Sequence, residues 1–130
     1  MTFAKLDELN PAQRQAAEHT DGALLIVAGA GAGKTKTLTY RIANLIHNGV
    51  LPHQILAITF TNKAASEMKK RISNMLNFPI DRMWIGTFHS LSVKILRENT
   101  DKAGLKQNFI IIDSDDQLKL IKKICELESV

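Results

Sequence analysis

Apolar residues along this chain alternate between short unbroken runs and longer stretches with helical spacing. Leu24-Leu25-Ile26-Val27, Ile55-Leu56-Ala57-Ile58-Thr59-Phe60 and Met83-Trp84-Ile85-Gly86 are runs of strand length. Between and after them, apolar side chains recur every three or four residues: Leu38, Ile42, Leu45 and Ile46, then Ala64, Ala65, Met68, Ile72, Met75 and Leu76, then Phe88, Leu91 and Ile95. The order strand, helix, strand, helix, strand, helix predicts an α/β fold. Its natural form is a parallel, doubly wound sheet with helices on both faces. The Ile55 to Phe60 run, apolar at nearly every position, predicts a strand buried on both sides.

Punctuation residues bound these segments. Asn10 is a good N-cap, Pro11 suits the first helical position, and Gln13 stands where a capping box folds a side chain back onto the cap. Asp21-Gly22 predicts a turn into the first strand. Asn48-Gly49, with Pro52 beyond, closes the second helix, and Thr61-Asn62 offers a cap for the third, whose polar side carries Lys63, Glu67, Lys70 and Arg71. Residues 77–81 read as a loop. Near the C-terminus, Phe109-Ile110-Ile111-Ile112-Asp113 has the look of a Walker B strand, four apolar residues and an aspartate. However, Ser114-Asp115-Asp116-Gln117 has capping-box spacing with acids in the first turn, Leu118, Ile121, Ile124 and Cys125 continue helically, and no Glu follows Asp113. Asp113 to Gln117 is therefore read as a helix start rather than a metal site.

Candidate chemistry concentrates at Ala28-Gly29-Ala30-Gly31-Ala32-Gly33-Lys34-Thr35. A strand, a glycine-rich turn and Gly-Lys-Thr at a helix start form the context of a P-loop. Small residues let successive backbone N–H groups converge on phosphate oxygens, and the helix start adds its own unpaired donors. Lys34 is placed to reach the β- and γ-phosphates, and the Thr35 hydroxyl to ligate the Mg²⁺ that accompanies them. The first glycine of the pattern is Ala28 here, a change that costs little where φ is negative. The competing account, a glycine linker before an ordinary helix, does not explain a buried strand on one side and Lys-Thr on the other. In a doubly wound sheet ligands bind at the C-terminal ends of strands. Three stretches fall there: the P-loop, residues 59–63 and residues 86–90.

Composition narrows the class without changing this picture. The 130 residues, 45% apolar and 23% charged, suit one soluble domain. No apolar run has the length of a membrane span and the N-terminus lacks a signal pattern, so a cytoplasmic protein is expected. With one cysteine, Cys125, and scattered His19, His47, His53 and His89, no metal site built by protein alone is expected. A net charge of +4 and a pI near 9.3 permit a polyanionic partner.

Several stretches resemble, in order, the motifs of UvrD/Rep-type superfamily 1 DNA helicases. Leu9-Asn10-Pro11-Ala12-Gln13 resembles their Q motif, and Ala28 to Thr35 their motif I, where alanine at the first position is usual. Ile58-Thr59-Phe60-Thr61-Asn62-Lys63-Ala64-Ala65 with Glu67-Met68 matches motif Ia, and Gly86-Thr87-Phe88-His89-Ser90 matches motif Ib. Ile112 to Gln117 is similar to the start of the inserted helical subdomain, called 1B. The resemblance implies a partial RecA-like P-loop NTPase domain over residues 1–108 and the beginning of that subdomain over 109–130. It implies ATP and Mg²⁺ as cofactors, and single-stranded DNA and duplex junctions as partners of the full-length protein. Gln13, on local pattern a capping residue, would by resemblance bond the adenine edge. Ala28, Gly29, Ala30, Gly31, Ala32, Gly33, Lys34 and Thr35 would hold the phosphates. Lys36 replaces a family arginine placed at the adenine, keeping the charge and losing the planar face. Phe60, Thr61, Asn62 and Lys63, with Thr87, Phe88 and His89, would line a groove for single-stranded DNA, aromatic faces stacking on bases. Core burial of Phe60 or Phe88 and a capping role for His89 are the competing readings.

The family's motif II, with its Asp-Glu pair, is absent from these residues, as are the arginine fingers of the second RecA-like domain. Met1 reads as a native start and Val130 as the middle of a helix. The expectation is thus an N-terminal fragment or truncated product of an ATP-driven 3′-to-5′ DNA helicase serving DNA repair or replication. Such a fragment should be inactive alone, Lys34 and Thr35 being its only catalytic residues. A non-enzymatic ATP- or DNA-binding protein and a small P-loop kinase are the alternatives.

Overall fold

The computed structural model describes residues 3–31, 33–77 and 79–130. After a 3₁₀ turn at Ala4–Glu8, the elements are α1 (Pro11–Glu18), α2 (Lys34–His47), β1 (Leu56–Thr59), α3 (Asn62–Leu76), β2 (Trp84–Thr87), α4 (Phe88–Glu98), α5 (Thr100–Ala103) and α6 (Ser114–Leu127). The chain divides into two compact units, Met1–Lys94 and Ile95–Val130.

In the first unit, β1 and β2 pair in parallel with Leu56 opposite Trp84 and Thr59 opposite Thr87. The α3 crossover makes that parallel pairing possible. Alternation along the strands sends Ala57 and Ile85 inward, onto a core of Ile42 from α2 and Ala65, Met68 and Ile72 from α3. These are the apolar stripes that the helical spacing predicts. Thr61 is the residue that caps α3, its hydroxyl accepting from the Ala64 N–H at 3.1 Å.

Two sequence-based expectations fail on the sheet. Leu24 to Val27 forms no strand, and Leu25 and Val27 stand 86% and 85% exposed. β1 is covered on one face only, with Leu56 and Ile58 open on the other. The reason is common to both. A parallel strand is held by ladder bonds to neighbours on its edges and by layers on its faces. Among the described residues, β1 and β2 have only each other, and nothing pairs with residues 24–27.

A second core, of Phe3, Leu6, Leu9, Ala17 and Ala43, seats the N-terminal segment and α1 on α2. Buried Asn44 ties it together, accepting from the Phe3 N–H at 3.3 Å and donating to the Ala17 carbonyl at 3.2 Å. Arg41 adds a bond to the His19 carbonyl at 2.9 Å.

In the second unit, Arg97 lies over the Phe109 ring at 4.7 Å and Gln107 donates to the Thr100 hydroxyl at 2.8 Å. Residues 110–112 form no strand, and Asp113 caps α6 by accepting from the Asp116 N–H at 2.8 Å. The helix start read at Asp113 to Gln117 is correct, with the cap one residue earlier than the Ser114 box implied. Val130 is not in mid-helix. α6 ends at Leu127, Ser129 turns left-handed at φ 56°, and the Val130 N–H bonds the Cys125 carbonyl at 2.9 Å, a Schellman closure. No helix among the described residues is long and apolar enough to cross a membrane.

Candidate functional site

The glycine-rich loop delivers the chain into α2 through Gly33, which caps the helix in the left-handed region at φ 80°. Gly31 is also left-handed, at φ 75°. Ala28 and Gly29 have no positive φ, so alanine at position 28 is accommodated as expected. Ala32 lies outside the described residues. Lys34, Thr35 and Lys36 form the first turn of α2, ahead of its first backbone bond from the Thr37 N–H to the Gly33 carbonyl at 2.9 Å. Their N–H groups therefore have no partner within the helix, the arrangement that receives anions. The Lys34 ammonium folds back over the loop and donates to the Ala28 carbonyl at 3.0 Å. Thr35 and Ala30 are exposed.

Gln13 makes the cap that its local pattern predicts. Its N–H donates to the Asn10 side chain at 2.9 Å and its side-chain oxygen accepts from the Asn10 N–H at 3.2 Å, completing the capping box. Its amide nitrogen meanwhile lies 2.7 Å from where a Cβ on Gly33 would stand. The cap thus aims the amide at the loop. Gly33 is required twice, by its backbone and by this approach. Gly33→Ala is expected to destabilise by about 1–2 kcal/mol for left-handed alanine, and by about 1 kcal/mol or more for displacing the Gln13 amide. Gly31→Ala carries only the first cost, since nothing lies within 4 Å of its would-be Cβ. Thermal unfolding of both variants checks this, and equal losses would refute the Gln13 contact.

Lys36 does not project freely. Its ammonium donates to the Glu8 carbonyl at 3.3 Å and lies 5.7 Å from the centre of the Tyr40 ring. Tyr40 in turn donates its hydroxyl to the Glu8 carboxylate at 2.5 Å. That bond to an anion, with partial burial, pushes the Tyr40 pKa up to about 12. Glu8 and Tyr40 were not singled out from sequence. The available signal was the polar stripe Lys36, Tyr40, Asn44 at four-residue spacing along α2.

At the C-terminal end of the sheet, the parallel register sets Phe60 and Phe88 side by side, each one residue beyond the Thr59–Thr87 pair. Their ring centres are 6.1 Å apart at 59°. Phe60 is 92% exposed and Phe88 57%, so neither packs into the core of the described residues. Asn62, Lys63 and His89 are exposed on the first turns of α3 and α4. Thr61 and Thr87 are engaged as caps. Thr87 and Ser90 exchange bonds at the start of α4, Ser90 N–H to the Thr87 hydroxyl at 3.1 Å and Thr87 N–H to the Ser90 hydroxyl at 2.9 Å. That turn leaves His89 no capping role. Gly86 permits it, because a Cβ there would stand 2.5 Å from the Ser90 hydroxyl oxygen. Gln13 and the glycine-rich loop thus stand at the starts of α1 and α2, and the aromatic pair stands where β1 and β2 end and α3 and α4 begin, all within the first unit.

Comparison with known proteins gives the family. The family model for the UvrD/REP helicase N-terminal domain matches residues 9–130. The chain is 54% identical over 120 residues to the ATP-dependent DNA helicase PcrA of Bacillus subtilis, covering 92% of this chain and 16% of that protein. It is 47% identical over 128 residues to PcrA of Staphylococcus aureus, covering 98% and 18%, and 54% identical over 124 residues to DNA helicase II of Rickettsia typhi, covering 92% and 18%. The chain therefore spans less than a fifth of the length of these relatives. By the family model and by these identities, the chain belongs to the UvrD/Rep helicase family, in its N-terminal domain.

Proposed function

We propose that this chain is the N-terminal ATP- and single-stranded-DNA-binding portion of an ATP-dependent 3′-to-5′ DNA helicase, acting in the cytoplasm on DNA under repair or replication. Residues 1–108 belong to a RecA-like, doubly wound ATP-binding domain and residues 109–130 to the start of an inserted helical subdomain. The open face of β1 and the unpaired run at 24–27 are then covered by strands and helices from the remainder of a longer protein. Such a remainder accords with relatives that are several times longer than this chain.

The phosphates of ATP are held by the N–H groups of the 28–35 loop and first turn and by the Lys34 ammonium, which exchanges the Ala28 carbonyl for phosphate oxygen. Gln13 and Lys36 serve the adenine end. Thr35 is the residue that would hold Mg²⁺, and the residues fit: its side chain is exposed at the head of α2, beside the loop lysine. Bound Mg²⁺ supplies charge neutralisation between phosphate oxygens. Asp7-Glu8 lies in the 3₁₀ turn before α1 and not at the end of an apolar run as in motif II. Without that motif and the arginine fingers of a second RecA-like domain, these 130 residues by themselves bind without appreciable turnover.

The observation that carries the reading is the exposed Phe60–Phe88 pair at the strand ends. Two large aromatic faces in water are costly unless they serve a partner, and bases of any sequence stack on them. Lys63, Asn62 and His89 beside them supply phosphate contacts that do not read sequence. Phe60→Ala and Phe88→Ala are each expected to weaken binding of an oligo-dT strand by about 1–3 kcal/mol, roughly 5- to 150-fold, as read by fluorescence anisotropy. Undiminished binding in both variants would sink the DNA reading. Phosphoryl transfer to a nucleoside, indifferent to DNA, would replace it with a kinase.

A further inference from the structure

We propose that Tyr40, acting through Glu8, is a positioning residue for the nucleoside end of the nucleotide site. This inference rests on the nucleotide-binding function proposed above. Glu8 is held at two points by one face of α2: its carboxylate accepts the Tyr40 hydroxyl at 2.5 Å and its carbonyl accepts the Lys36 ammonium at 3.3 Å. The Tyr40 ring lies 5.7 Å from the same ammonium, so hydroxyl and ring together define where both Glu8 and Lys36 sit. Two residues beyond Glu8, Asn10 caps α1 and locks Gln13 by reciprocal bonds of 3.2 and 2.9 Å. The Gln13 amide nitrogen then abuts Gly33. Hydrogen bonds and the two backbone steps from Glu8 to Asn10 therefore link Tyr40 through Glu8 and the capping box to the two polar groups flanking the loop.

The phosphate end is built differently. The loop enters α2 at Gly33 and Lys34 bonds the Ala28 carbonyl, and the Glu8 set meets this end at Gly33, through the Gln13 amide. Loss of the Tyr40 hydroxyl thus loosens one end of the site and spares the other. A residue that acted only on general stability would weaken both ends alike.

The test measures affinity of the 130-residue chain for ATP and for inorganic tripolyphosphate, each with Mg²⁺, by titration calorimetry. Tyr40→Phe keeps the ring and removes the hydroxyl. It is expected to weaken ATP binding about three- to tenfold, the worth of one hydrogen bond, and to leave tripolyphosphate binding unchanged. Glu8→Ala should do the same, and the double variant no more than either single one. Glu8→Gln retains a side-chain oxygen to accept the hydroxyl and should hold near the unmodified affinity. Equal weakening toward both ligands, or unaltered ATP affinity in Tyr40→Phe and Glu8→Ala, overturns the inference. An unmodified chain that binds the two ligands equally well also overturns it while leaving phosphate binding intact. Binding of neither overturns the proposed function itself.

Discussion

Lys34→Ala is expected to weaken binding of Mg·ATP by about 10- to 150-fold, because a charge-assisted hydrogen bond to phosphate contributes about 1.5–3 kcal/mol. Its only described bond in the free chain is to the Ala28 carbonyl at 3.0 Å, and the residue is exposed, so the fold should not depend on it. The melting temperature should therefore stay within the range of an ordinary surface substitution while affinity collapses. Calorimetric titration and thermal unfolding of the same preparation separate the two quantities. Lys34→Arg keeps the charge but brings a wider, planar group to a narrow loop, and should recover only part of the affinity. Retained affinity in Lys34→Ala would mean that phosphates do not sit at the helix start, and the nucleotide reading would fall.

Asn44→Leu should produce the largest loss of stability. Asn44 is 3% exposed, yet it joins three segments: it accepts from the Phe3 N–H, donates to the Ala17 carbonyl, and accepts from the Asn48 amide at 3.0 Å. Leucine fits a buried position by size and removes every one of these bonds. The Phe3 N–H and Ala17 carbonyl then remain buried without partners, at about 1–3 kcal/mol each, for a total of about 2–6 kcal/mol. For a domain of ordinary stability that is a large fraction of the whole. Denaturant unfolding of Asn44→Leu beside Asn74→Ala, an exposed position on α3, measures it. The surface variant should change by less than about 0.5 kcal/mol. A loss below about 1 kcal/mol in Asn44→Leu would show that water reaches the orphaned groups and that the N-terminal segment is not clamped. Because α1 carries Gln13, the same variant should also loosen the base end of the site.

The two largest effects live on different links. Under the proposed function Lys34 serves the nucleotide, and the fold does not need it. Asn44 is a fold residue that the site needs, since α1 is tied to α2 through it.

What the sequence by itself determined is everything carried by neighbours within about four residues. The Asn10–Gln13 box, the Thr61 cap, the glycine-rich turn before Lys34 and the apolar stripes of α2 and α3 are local in this sense, and each was legible. So was the choice against a metal ligand at Asp113, since a capping residue and an acidic first turn are read from adjacent positions. The motif residues were legible too, their spacing being itself a local property.

Tertiary structure alone decided which apolar runs pair and which side chains meet. Residues 24–27 have the composition of a strand, but a strand exists only where another offers its ladder, and none of the described residues does so. Phe60 and Phe88 could be core or surface on composition, and only the parallel register carried both past the sheet into solvent. Tyr40 meets Glu8 across 32 residues and Asn44 meets Phe3 across 41. The polar stripe on α2 announces that some partner exists. It cannot say which one, because short-range propensities contain no information on chain closure over such distances, and packing of the second core is what selects it.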